Sequence, residues 1–206
     1  MTTPIVPVPP NPHKAPEAQV ADHEGVGEEL FYVVAPSKFL IMMVGTLGIY
    51  AVYWFYKNWS IIARRRKESL WPVARGIFAV FFTHALFKEV DGELQVQGKL
   101  KSFAWQPSTL ASIYVASAIG SSLCGRLSGK GIGSPVTDLV ALALFVPTVY
   151  ALYSAQFAFN LASGDPQGTG NRSLTAANIA WLVPGAILWL LTIVGMFLIL
   201  TGRAQG

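Results

Sequence analysis

Residues 179–200 read IAWLVPGAILWLLTIVGMFLIL, 22 consecutive positions without a charge. About 20 mostly apolar residues in a helix cross the roughly 30 Å hydrocarbon core of a bilayer. The stretch is therefore long enough to span. Two further uncharged runs stand upstream, 18 residues at Phe39–Tyr56 and 21 at Leu139–Phe159. Hydrophobic residues make up 52% of the 206 and charged ones only 13%, against about 25% charged in a soluble domain. The mean hydropathy is +0.46. Three such runs in so short a chain are hard to bury in a soluble core. The sequence predicts an all-α, polytopic membrane protein.

Working outward from that run, four spans are expected, at about 39–56, 107–125, 136–159 and 179–200, with three or five as alternatives. Pro147 should kink the third. The apolar segment Gly76–Phe87 is too short to cross, so residues 72–88 are expected to form an interfacial or re-entrant helix, followed by a turn at Asp91–Gly92. Residues 1–36 hold Pro4, Pro7, Pro9, Pro10, Pro12 and Pro16 and then Asp22, Glu24, Glu28 and Glu29. That composition predicts a disordered tail ahead of a single helical membrane domain, 37–206.

Tyr50, Tyr53, Trp54, Tyr56 and Trp59 crowd the end of the first run. Amphipathic rings gather at headgroup level, so they are expected to anchor it at an interface. Arg64, Arg65, Arg66 and Lys67 follow. A basic run beside a span attracts anionic lipid headgroups, and the adjoining span explains it without nucleic acid. Residues 57–106 hold nine Lys and Arg against two in residues 1–38. The positive-inside rule then places this loop in the cytoplasm and the tail outside. Four spans leave both termini outside. Three, with 107–125 failing to cross, bring the C-terminus in.

Ser108, Ser112, Ala116, Gly120 and Cys124 recur every four residues and form one stripe of small side chains. Such a stripe lets another helix approach closely, either within the chain or in a homo-oligomer. The Gly-rich stretch 127–135 superficially resembles a phosphate loop. Arg126, however, stands where that motif needs lysine after Gly125, and the stretch is assigned as a turn.

The stretch with Gly48, Tyr50, Tyr53, Trp54, Tyr56 and Lys57 holds a Gly-x-Tyr-x-x-Tyr-Trp signature, Gly48 to Trp54. It resembles the opening of an uncharacterised family of bacterial inner-membrane proteins, a domain of unknown function. Pro36 and Lys38 are similar to that family's lead-in. Arg75, Phe78, Phe81, Phe82, Leu86 and Phe87 resemble its second segment. Gln156 and Asn160 are similar to its helix-end pair, and Asn171, Asn178, Gly185, Trp189 and Gly195 to its closing loop and helix. The Ser- and Gly-rich segment 107–125 departs from the pattern. The resemblance implies a multi-pass protein of the bacterial inner (cytoplasmic) membrane and brings no catalytic residues.

No paired carboxylates, metal-ligand cluster or nucleophile–base set stands out, so neither cofactor nor metal is expected. His13 and His23 lie in the tail. His84 is expected to reach the headgroup layer, Asp138 to sit beside the 127–137 turn, and Cys124 to pack as a small residue. The composition favours a non-enzymatic membrane interaction or scaffold module, contacting lipid and either a second copy or another membrane protein. The alternative is a small carrier or channel for a small or lipid-like solute.

Overall fold

A computed structural model describes residues 29–100 and 105–202, which form helices and connecting turns with no strand. The helices are α1 (Pro36–Gly45), α2 (Tyr50–Arg66), α3 (Pro72–Ile77), α4 (Ala79–Val96), α5 (Pro107–Ser128), α6 (Val136–Ala143), α7 (Phe145–Ala162) and α8 (Ala176–Leu200). Three stretches are long and apolar enough to cross a membrane: α5, the α6–α7 run Val136–Ala162, and α8.

The stretch 39–56 is not one helix. α1 stops at Gly45, and Leu47 and Gly48 adopt left-handed backbone, at φ 50° and 85°. Glycine takes that conformation without a Cβ penalty, and at Gly48 a Cβ would meet the Phe145 ring at 3.1 Å. Thr46 Oγ1 then accepts from Tyr50 N at 3.0 Å, restarting the helix as α2. The chain reverses there. Lys38 of α1 bonds the 171–173 loop, and Arg64 of α2 pairs with Glu29, so both outer ends lie at one end of the molecule. The tip meets the middle of α8, where Trp189 Nε1 donates to Val44 O at 2.6 Å. Ten helical residues rise about 15 Å, half of what a span requires.

Residues 72–88 also divide. Pro72 and Trp71 open α3, and a break at Phe78 precedes α4. Asp91–Gly92 lies inside α4 rather than in a turn. Leu86, Phe87, Val90 and Leu94 are buried on one face across it. Their burial outweighs the roughly 1 kcal/mol that glycine costs in a helix.

The core is aromatic. Trp54 lies 4.9 Å from Phe159, centroid to centroid, and Phe31 and Phe87 lie 5.2 and 6.2 Å from the same ring. Such pairs add about 0.5–1.5 kcal/mol each beyond their buried area. α5 and α7 pack against this cluster through Leu110, Ala111, Tyr114, Ala151, Leu152 and Ala155. The kink expected from Pro147 is present as the α6–α7 break at Leu144. Proline has no N–H for the carbonyl four residues back, and its ring collides with it; α6 ends at that residue, Ala143. α8 stands apart, with only Gly185 buried.

Candidate functional site

The end of the molecule shared by residues 29–38, 58–66 and 161–173 is organised around a short extended segment, Leu30–Ala35. Phe31, Val34 and Ala35 are buried, so the ordered domain begins inside the stretch read as a disordered tail. Residues 1–28 lie outside the described residues. A segment outside helix and sheet has unpaired main-chain groups, and buried ones need partners. Side-chain amides supply them. Asn160 Nδ2 donates to Val34 O at 2.9 Å, and Asn160 Oδ1 accepts from Val34 N at 3.2 Å. Gln156 Nε2 donates to Tyr32 O at 3.1 Å and to Asn160 Oδ1 at 2.6 Å. Asn58 Oδ1 accepts from Tyr32 N at 3.0 Å, and Asn171 Nδ2 donates to Val33 O at 2.9 Å.

The clamp is anchored in turn. Trp54 Nε1 donates to Gln156 Oε1, and Lys38 Nζ donates to Asn171 Oδ1 and Ser173 O at 2.6 and 2.7 Å. Gly168, at φ 63°, lies so close to the segment that a Cβ would sit 2.4 Å from Val34 O. The loop carrying Asn171 is held by Asp165, whose Oδ2 accepts from Gly170 N at 2.9 Å. The Gly170 amide and the Thr169 backbone and hydroxyl hold the Asp165 carboxyl below its usual range.

Of the five expected interface rings, Tyr53 and Tyr56 are exposed, whereas Tyr50, Trp54 and Trp59 are core. The first run turns back at Leu47–Gly48, and that reversal lays one face of α2 against α4 and α7. The basic run pairs with acidic side chains while Arg64, Arg66 and Lys67 stay exposed. Arg64 lies 3.7 Å from Glu29, Arg65 3.5 Å from Glu93, and Arg66 pairs with Glu89. Only Lys67 has no carboxylate partner among the described residues. The run extended by α2 therefore meets the acidic turns of α4, which the sequence reading had placed beyond a helix end.

The small-residue stripe faces mostly outward. Ser108, Ser112 and Ala116 are exposed, and the buried face of α5 is Leu110, Ala111, Tyr114 and Ser117. Gly120 and Cys124 are half-buried, and a Cβ on Gly120 would meet Leu144, between α6 and α7, at 3.0 Å. His84 is exposed on α4, with Nε2 3.3 Å from Ser112 Oγ. The closest small-residue crossing lies elsewhere: a Cβ on Gly185 would sit 2.0 Å from Gly45 O. Asp138 accepts from Ser128 Oγ and closes the turn between α5 and α6.

Two clefts flank the hairpin of α1 and α2. One, of about 460 Å³, lies between the hairpin, α3 and the first turns of α8; Tyr50, Val52, Tyr53, Ile77, Asn178 and Trp181 line it. The other, of about 550 Å³, lies between α5 and α7, with Trp105, Thr109, Tyr150 and Gln156 in its wall. Among the described residues no group of three His, Cys, Asp or Glu could hold a metal ion.

Sequence reasoning missed the clamp as a unit. Its signal is an uncharged amide inside an otherwise apolar helix, as at Asn58, Gln156 and Asn160. In such surroundings an amide needs a partner. Comparison with protein-family models, curated proteins and solved structures finds no match.

Proposed function

We propose that this chain is a three-span protein of a bacterial cytoplasmic membrane, akin to the inner-membrane family whose signature it resembles. In this reading α1–α2 and α3–α4 are helical hairpins that enter from one side and return, while α5, α6–α7 and α8 cross. The Arg64–Lys67 end and loop 163–175 then share a side, with the 129–135 turn and the end of α8 opposite. Among the described residues, ten Lys and Arg lie at or towards the first side, and Arg126 and Lys130 lie at the other. The positive-inside rule makes the first side cytoplasmic, including the segment at Glu29.

The function that fits best is a non-enzymatic association module that pairs with a second copy. The supporting observation is the outward face of α5, where Ser108, Ser112 and Ala116 are exposed and shallow enough for another helix. In lipid, association depends on close packing and polar contacts rather than on hydrophobic force. The test is disulfide crosslinking in native membranes of Ala116→Cys in a Cys124→Ser background. A dimer band at Ala116 and none at Ile193→Cys supports the reading; equal or absent bands sink it. The second reading, a small carrier or channel for a lipid-like solute, draws on the 460 Å³ cleft. Solute flux in proteoliposomes would favour it.

A further inference from the structure

We propose that the cleft between the α1–α2 hairpin, α3 and the start of α8 is a binding site for one anionic glycerophospholipid of the cytoplasmic leaflet. One acyl chain lies in the cleft and the phosphate rests at Lys57. The proposal rests on the three-span placement above but not on self-association.

The cleft, at about 460 Å³, falls within the roughly 300–1,000 Å³ of ligand pockets. Its mouth is ringed by apolar side chains that nothing in the chain covers: Val73 is 62% exposed, Ile77 61% and Trp181 57%. A mouth of that kind fits hydrocarbon, not water. Trp181 lies in the second turn of α8, and Asn178 is the third residue of the same helix. The cleft therefore opens just beneath the headgroup layer, where the upper part of an acyl chain lies.

The charge at the rim selects the headgroup. Arg64, Arg65 and Arg66 are each paired with a glutamate. Lys57 has no carboxylate partner among the described residues; its Nζ lies 5.8 Å from the centroid of the Tyr53 ring, which lines the cleft. Lys57 stands one turn beyond Tyr53 along α2, towards the basic end. A phosphate there finds an unneutralised cation, and anionic lipids concentrate at this leaflet.

The test is native mass spectrometry of delipidated protein offered dioleoyl phosphatidylglycerol or dioleoyl phosphatidylcholine at equal concentration. The expected result is one phosphatidylglycerol per chain, retained several-fold over phosphatidylcholine. Lys57→Gln should bring phosphatidylglycerol down to the phosphatidylcholine level. Ile77→Trp, which fills the mouth, should remove both, while Ile193→Trp on the outer face of α8 should behave as wild type. Equal retention of the two lipids by wild-type protein overturns the proposal. So does full retention by Ile77→Trp, or displacement of the lipid by glycerol 3-phosphate, which has no acyl chain. If circular dichroism shows Ile77→Trp unfolded, the Lys57→Gln comparison decides alone. Ala116→Leu, which blocks the α5 face, should keep its lipid; loss of lipid together with the dimer would place the lipid between copies and overturn the cleft.

Discussion

Gly185 and Gly195 sit ten residues apart on α8 and differ in what surrounds them. A Cβ at Gly185 collides with the Gly45 carbonyl at 2.0 Å, and one at Gly195 meets nothing within 4 Å. Gly185→Ala should force α8 away from the hairpin tip and break the Trp189–Val44 hydrogen bond, at about 1–3 kcal/mol. Gly195→Ala should be neutral or gain up to about 1 kcal/mol of helix propensity. Thermal unfolding in detergent checks both. Asp165 makes a second prediction at this scale. Its folded pKa is depressed, so its contribution is present above the ordinary aspartate value of about 3.9 and is lost as pH falls through the folded value. The amide proton shift of Gly170, which donates to this carboxylate, should titrate with a midpoint below about 3.9, and Asp165→Asn should abolish that titration.

At the scale of elements, the two ends of the α5 stripe should respond differently to the same change. A Cβ added at Gly120 would meet Leu144 at 3.0 Å, whereas Ala116 is exposed. Gly120→Leu should lower the melting temperature of the monomer by overpacking, roughly 1–3 kcal/mol. Ala116→Leu should leave melting unchanged and remove the dimer band given by a cysteine placed at Ser112 on the same exposed face. α6–α7 and α8 were legible because an uncharged run of 20 or more residues with few polar interruptions has one favourable environment, whereas the serine-rich α5, which is apolar enough to cross, is the run the sequence left open. The Pro147 break was legible because proline acts locally. The first run misled for two reasons. Its 18 uncharged residues come close to the length of a span, and the Thr46–Gly48 reversal packs against Phe145 and α8, which are distant in sequence. Segment 29–35 was hidden in the same way. Its main chain is satisfied by Asn58, Gln156, Asn160 and Asn171, up to 138 positions away; the amides stand out in their helices, but nothing local says which segment they hold.

For the whole molecule, the fold places a polar, hydrogen-bonded end above a set of apolar helices that expose most of their length. The clamp on Leu30–Ala35, the ion pairs of α2 and the Asp165 turn all belong to that end. It ties the first described residues to the loop before α8, so in the three-span arrangement proposed above residues near 30, 66 and 171 share one side of the membrane. A continuous span at 39–56 would separate Glu29 from Arg64 by the bilayer. The most direct test of this arrangement is labelling of single cysteines in intact cells with a membrane-impermeant reagent, in a Cys124→Ser background. Glu29→Cys is the decisive position, with Ser69→Cys, Ser173→Cys and Gly131→Cys as references. Gly131→Cys is expected to label from outside, and Glu29→Cys only after the cells are opened, as for Ser69→Cys and Ser173→Cys. Labelling of Glu29→Cys from outside would contradict the hairpin and restore a first span.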